Sequence, residues 1–168
     1  VTRYIHDPTL PQNRLIYSLK QENRRDVLEF MAAELADAVR ASEEECGEFL
    51  VTFVPRRRRA VLTYGFDHAK KLARRLAKKI GADFSPLLSS VAKHAQKKMH
   101  GSRERIGNAA MKYIGKPDLH GKRILLVDDI VTTGASMASA AILLRANGAK
   151  KIVGASFSIA YLDPYVPL

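Results

Sequence analysis

Asp128 and Asp129 stand together in the chain, and Ile130-Val131 separates them from Thr132-Thr133-Gly134-Ala135-Ser136. Adjacent carboxylates can accept hydrogen bonds from neighbouring hydroxyls. The hydroxyl-rich run with its glycine lets backbone N–H groups close around an anion at the start of a helix. Carboxylates repel a bare phosphate, so a ligand that satisfies both features must carry its phosphate a few bonds away from its hydroxyls. A sugar phosphate of the ribose 5-phosphate kind meets that demand, with the 2- and 3-hydroxyls on the acids and the 5-phosphate in the loop. Two simpler readings also accommodate the acids. They could cap the next helix, or hold Mg²⁺ in a receiver-like or phosphatase-like fold, but neither calls for Thr-Thr-Gly-Ala-Ser at this spacing.

Such a site needs a strand to carry the acids and a helix to receive the anion. Ile124-Leu125-Leu126-Val127 is an unbroken apolar run between a basic turn and the acids, the pattern of a strand covered on both faces of a parallel sheet. Its carboxyl end would open onto the crevice where such sheets bind ligands. Upstream, Arg14 to Leu19 and Arg24 to Ala41 have helical spacing, and Phe49 to Val54 reads as the first core strand, stopped by Pro55. From Gly65 an amphipathic helix is expected, with Phe66, Ala69, Leu72, Ala73, Leu76, Ala77 and Ile80 inward. Lys70, Lys71, Arg74, Arg75, Lys78 and Lys79 form its outer face, and Gly81 stops it. Leu87-Leu88 and Met111 to Ile114 suggest short strands, the latter followed by a turn at Gly115-Lys116-Pro117-Asp118. Ser136 to Ala146 suggests a helix and Ile152 to Ala160 the last strand. The predicted class is α/β: a parallel sheet with helices on both faces, preceded by a helical lead-in. One domain over 1–168 is expected, with 1–48 as lead-in and 49–168 as core. The polar stretch from Ser89 to Asn108, about 89–108, has little hydrophobic period.

The chain has 168 residues, 46% of them hydrophobic, enough to bury a substantial core. Its single cysteine, Cys46, excludes a disulfide framework or a cysteine-rich metal site within it. No apolar run approaches the ~20 residues needed to span a bilayer, and no signal peptide is evident, so a cytoplasmic protein without membrane partners is expected. Val rather than Met at position 1 leaves room for a preceding segment. The net charge of +11 is concentrated: residues 50–105 hold fifteen Lys and Arg against three acids, a net of +12, while the rest hold thirteen against fourteen. Such a region attracts polyanions, whether a diphosphate-bearing small molecule or nucleic acid. His6, His68, His94, His100 and His120 lack metal-ligand spacing and are expected at the surface or in loops, whereas Phe66 is expected in the core.

The segment from Arg123 to Ser136 resembles the 5-phosphoribosyl 1-diphosphate (PRPP) motif of the type I phosphoribosyltransferases: an apolar run, two acids, two variable residues, then Thr-Thr-Gly and a small residue. Val54-Pro55-Arg56-Arg57-Arg58-Arg59 through Gly65-Phe66-Asp67-His68 is similar to a block of the late-competence (ComF-type) members of that family. Gln96 with Arg105 and Asn108, and Leu15-Ile16 through Lys20, extend the likeness. There are departures. Tyr64 replaces an Arg, Asp67 and His68 replace Asn and Gln, and the family's Cys-x-x-Cys zinc ribbon is absent from these residues.

The resemblance implies the type I phosphoribosyltransferase fold and PRPP as substrate. It implies Asp128 and Asp129 as catalytic residues holding the ribose, and Asp128 through Ser136, with Ile130 and Val131 between, as the PRPP-binding segment. Arg56 and Arg57 would take the pyrophosphate, and Lys93, Lys97, Arg103 and Arg105 would lie on a mobile flap that excludes water. Mg²⁺ would be held mainly by PRPP rather than by a direct protein site. The partners implied are a nitrogen acceptor, nucleobase or amine, with a homodimer as a candidate assembly. The basic region and the competence likeness together raise non-specific DNA as a further partner, and with it an alternative function: a DNA-binding accessory protein of competence or DNA uptake in which the PRPP site is vestigial or regulatory.

Overall fold

The computed structural model describes residues 2–4, 24–42, 49–56, 61–62, 65–91 and 111–160. Ile124, Leu125, Leu126 and Val127 are all fully buried, as a strand covered on both faces requires. That strand is the middle member of a five-stranded parallel sheet whose strands lie in the order Thr2–Tyr4, Lys151–Ala160, Arg123–Val131, Phe49–Phe53, Asp83–Phe84. The strands are β1 (Thr2–Tyr4), β2 (Phe49–Phe53), β3 (Asp83–Phe84), β6 (Arg123–Val131) and β7 (Lys151–Ala160). A separate antiparallel pair, β4 (Leu88–Ser90) and β5 (Met111–Tyr113), forms a two-stranded sheet.

Helices cover both faces. On one side, α1 (Arg25–Ser42) and α2 (His68–Ile80) pack together over β2, β6 and β7. Met31 and Leu35 of α1 and Leu72 and Leu76 of α2 enclose Val51, Leu125 and Val127 there. On the other side, α3 (Ala135–Ala146) sends Ala140 and Leu144 against Ile124 and Leu126, joined by Leu87 and Leu88 at the start of the β4–β5 pair.

The expected fold class holds, and several boundaries differ for physical reasons. Helix α2 begins at His68, not Gly65. Asp67 is extended (φ −101°, ψ 110°) and its Oδ1 accepts the Lys70 N–H at 3.2 Å, which makes it the N-cap. Gly81 closes the helix in the left-handed conformation at φ 70°. Phe49 is not in the first strand of the sheet, because Thr2–Tyr4 pairs in parallel with Ser158–Ala160 of β7 as an edge strand. The lead-in therefore contains a strand as well as α1. Asp83–Phe84 pairs with Leu50–Val51 and is a strand too short to show any period. Ser89 and Ser90 belong to β4, paired with Lys112 and Met111, so the base of the expected flap is a β-ladder. From residue 92 on, that stretch lies outside the described residues, as do Arg14 to Leu19 and Cys46.

Candidate functional site

The topology fixes where a ligand can sit. From β2 the chain moves outward to β3 on one side, whereas from β6 it moves to β7 on the other. The crevice beyond the carboxyl ends of β2 and β6 is thus the switch point where open α/β sheets bind ligands. Two segments leave the sheet there. Beyond β2, the Val54 N–H donates to the Val127 carbonyl at 2.9 Å, and Pro55, lacking an N–H, ends the ladder. Arg56 follows. Beyond the apolar part of β6 come Asp128 and Asp129.

Contrary to a strand that stops at the acids, β6 runs on to Val131, held by the pairs Ile130↔Ser158 and Val131↔Ile159 with β7. Ile130 also packs against the α1–α2 core. Within the expected PRPP segment, Ile130 and Val131 are thus sheet residues, and the loop proper is Thr132, Thr133 and Gly134, with both threonines exposed. Gly134 sits in the left-handed region at φ 75°, a conformation that favours glycine. Thr133 Oγ1 accepts the Ala135 N–H at 3.4 Å. The N-cap residue of α3 is Gly134, which has no side chain to cap it, and Ala135 and Ser136 form the first turn of the helix.

The acids are locally braced. Asp128 Oδ1 accepts the Asp129 N–H at 2.9 Å, and Asp129 Oδ1 accepts the Ile130 N–H at 3.1 Å. Ser156 on β7 lies beneath them, its hydroxyl donating to the Ser158 carbonyl at 2.8 Å and lying 3.4 Å from the Asp129 carbonyl. Across the switch point, the Arg56 guanidinium donates to Asp129 Oδ2 at 2.8 Å, an ion pair in which Asp129 is buried and Arg56 half-buried. The Arg56 backbone N–H donates to Asp67 Oδ2 at 3.2 Å. Arg56 thus meets two carboxylates, Asp129 through its guanidinium and Asp67 through its backbone N–H. Burial, together with the charge of Asp129, pushes Asp128 up to about 8. Burial also raises Asp67, against the hydrogen bonds from Lys70 and Arg56 that lower it.

Of the residues expected from sequence, Asp128 through Ser136 and Arg56 come together. Arg57, Lys93, Lys97, Arg103 and Arg105 lie outside the described residues. Among the described residues no three His, Cys, Asp or Glu side chains gather to hold a metal ion. One carboxylate pair, already partly engaged by Arg56 and backbone N–H groups, suits Mg²⁺ that brings most of its ligands from a diphosphate and water.

Asp67 was not expected as part of the site. Its signal was an Asp placed just before an apolar stripe, the mark of an N-cap. His68, expected at the surface or in a loop, is fully buried, because it lies at i−4 from Leu72 on the inward stripe of α2. Phe66, expected in the core, is half-buried, with its ring edge-on to His68 at 4.6 Å and the Lys71 ammonium 4.2 Å from its centroid.

The outer face of α2 also differs from expectation. Arg75 donates to Glu29 of α1 at 2.7 Å and Lys79 lies 3.5 Å from the same carboxylate. The row of six cations is therefore reduced to Lys70, Arg74 and Lys78 as exposed members, and the Arg74 guanidinium lies 5.2 Å from the Phe84 ring.

A doubly wound sheet with an acidic pair and an anion loop at its switch point defines a nucleotide- or sugar-phosphate-binding class of protein. Residues 60–160 match the family model described as the phosphoribosyl transferase domain, and the chain belongs to that family. Among curated proteins it is similar to the DNA utilization protein YhgH of Salmonella typhimurium, 28% identical over 152 residues, covering 88% of this chain and 67% of that protein. It also resembles the ribose-phosphate pyrophosphokinase of Pyrococcus abyssi, 36% identical over 87 residues. There the match takes in 50% of this chain and only 25% of the pyrophosphokinase. Solved structures of the same fold include a purine phosphoribosyltransferase from Pyrococcus horikoshii, with TM-score 0.52, 18% identity, and coverage of 83% of this chain and 77% of that one. Another is phosphoribosylpyrophosphate synthetase from Mycobacterium smegmatis, with TM-score 0.53, 19% identity, and coverage of 79% and 34% respectively. No helix among the described residues is long and apolar enough to cross a membrane.

Proposed function

We propose that this chain binds PRPP and transfers its phosphoribosyl group between pyrophosphate and a nitrogen nucleophile, a nucleobase or related amine. The observation that carries this reading is the Asp128–Asp129 pair near the carboxyl end of the central strand, one short Thr-Thr-Gly loop before the N-terminus of α3.

In this reading the carboxylates of Asp128 and Asp129 accept hydrogen bonds from the ribose 2- and 3-hydroxyls. Thr132, Thr133, Gly134 and the first turn of α3 receive the 5-phosphate, which sits at the positive end of the helix. Cleavage of the bond between C1 and the pyrophosphate oxygen passes through an oxocarbenium-like state, as in glycosidic cleavage. Positive charge then grows on the sugar beside the two carboxylates, while negative charge grows on the leaving group. Arg56 has five N–H donors in a fixed fork, so it can keep its bond to Asp129 and still donate to the departing pyrophosphate. Mg²⁺, when bound with PRPP, supplies further neutralisation of that charge. The Ser89 to Asn108 stretch, rooted in the β4–β5 ladder, would close over the site and exclude water. The likeness to YhgH over most of the chain supports placement among the late-competence members.

The test is a screen of nucleobases and amines with PRPP and Mg²⁺, reading pyrophosphate release. At least one acceptor is expected to drive turnover that an Asp129→Ala variant does not support. Pyrophosphate release that is the same with every acceptor and with none would refute transfer.

A second reading, binding to DNA, is favoured by Lys70, Arg74 and Lys78, which stand exposed at i, i+4 and i+8 on α2 in the basic part of the chain. A relative described as a DNA utilization protein also supports it. Three phosphates neutralised by that row correspond to a log–log salt slope of roughly −2 to −3, at about −0.7 to −0.9 each. Replacing all three residues with Glu is expected to abolish retention of a random-sequence oligonucleotide at low salt while PRPP affinity is unchanged. Undiminished retention would leave the row as a solvated surface.

A further inference from the structure

We propose that Asp67 is a positioning residue for the site: by gripping the Arg56 backbone and the first turn of α2 at once, it sets where the Arg56 guanidinium meets the diphosphate. This rests on the reading of Arg56 as a ligand for that group.

The geometry carries it. One oxygen of Asp67, Oδ1, accepts the Lys70 N–H at 3.2 Å and ties the residue to the helix. The other, Oδ2, accepts the Arg56 N–H at 3.2 Å across eleven residues of chain. Arg56 is the first residue past Pro55, where the ladder with β6 can no longer hold the backbone. Without another tie, the position of its side chain would depend on that chain segment alone. The Asp67 clamp replaces the missing ladder bond and references Arg56 to α2, whose buried face fixes the helix against the sheet. From there the guanidinium reaches Asp129 at 2.8 Å. The chain of contacts Lys70–Asp67–Arg56–Asp129 therefore links a rigid helix to the acidic pair across the switch point.

Asparagine is the discriminating substitution. It caps helices about as well as aspartate, so Asp67→Asn should keep the Lys70 bond and the fold. It has only one acceptor oxygen, however, and its NH₂ cannot accept from the Arg56 N–H. Asp67→Asn is expected to raise the dissociation constant for Mg²⁺–pyrophosphate about tenfold, with a melting temperature within about 2 °C of the native protein, because its cap is retained. In an Arg56→Ala background the same change is expected to alter affinity less than about twofold, since its effect travels through the Arg56 side chain. Losses that simply multiply in the double variant, or an unchanged affinity in Asp67→Asn, would overturn the proposal.

A second measurement needs no ligand. Exchange of the Arg56 amide hydrogen in the free protein should accelerate about tenfold in Asp67→Asn while that of Lys70 does not. An Arg56 amide equally protected in both proteins would overturn the clamp. If the native protein fails to bind Mg²⁺–pyrophosphate but the Arg56 amide responds as expected, the clamp stands and the assignment of Arg56 to the diphosphate falls.

Discussion

Converting Asp128 and Asp129 together to Asn is expected to weaken PRPP binding by two to four orders of magnitude. Each hydrogen bond to a charged group contributes about 1.5–3 kcal/mol, and above about pH 8, where Asp128 is ionised, the pair would present two of them to the ribose hydroxyls, which sets the pH of the measurement. An amide can still accept, but it does so without the charge that also favours a metal-bound diphosphate nearby. The Asp129 change has a second consequence, because it removes the carboxylate that Arg56 meets at 2.8 Å and leaves a half-buried guanidinium with an uncharged partner. Calorimetry with PRPP and Mg²⁺ measures the effect, and an affinity within a factor of three of the native protein would refute the assignment of the pair to the ribose. Ribose 5-phosphate is expected to bind the native protein more weakly than PRPP, since it offers nothing to Arg56.

The second large effect is on stability against pH, and it follows from crowding. Asp128 is pushed from its ordinary value up to about 8 by burial and by the charge of Asp129. A carboxyl with a raised value in the folded state binds its proton more tightly there than in the unfolded chain. Its contribution to stability is therefore complete below its ordinary value near 3.8 and is lost as pH climbs through about 8. Asp128→Asn keeps a neutral side chain at every pH. The variant should match the native protein near pH 4 and be more stable at pH 9. The gain is on the order of a few kcal/mol, because each pKa unit corresponds to about 1.4 kcal/mol. Denaturant melts of both proteins from pH 4 to 9 check this. Parallel curves would mean that the acids are better solvated than their burial implies.

The residues that chemistry singles out were readable without coordinates, because the PRPP-like segment is local: strand, acids, loop and helix start follow one another within fourteen residues. The central strand was legible for the same reason, since four consecutive apolar residues need cover on both faces. What the sequence withheld depends on partners distant in the chain. Thr2–Tyr4 has no apolar run, and it is a strand only because β7 offers an open edge. The Arg56–Asp129 ion pair joins residues 73 positions apart, so the place of Arg56 just after Pro55 gave it a candidate role but not its partner. The cations of α2 looked equivalent as a helical face, but Glu29 on α1 takes two of them because the two helices pack side by side. His68 misled because its residue type favours the surface, whereas its spacing of four from Leu72 puts it on the inward face of α2.

The β4–β5 ladder bears on how such a protein could diversify. Its two short strands close the ends of the connection from 91 to 110, and Leu87 and Leu88 anchor that closure in the core. Because the ends are zipped and buried independently of what runs between them, doubling the length of the insert would cost only about 0.6 kcal/mol of closure entropy. Lineages sharing this scaffold could therefore exchange the span between the two strands, lengthening or recharging it, while the acidic pair, its loop and the sheet beneath remain as they are.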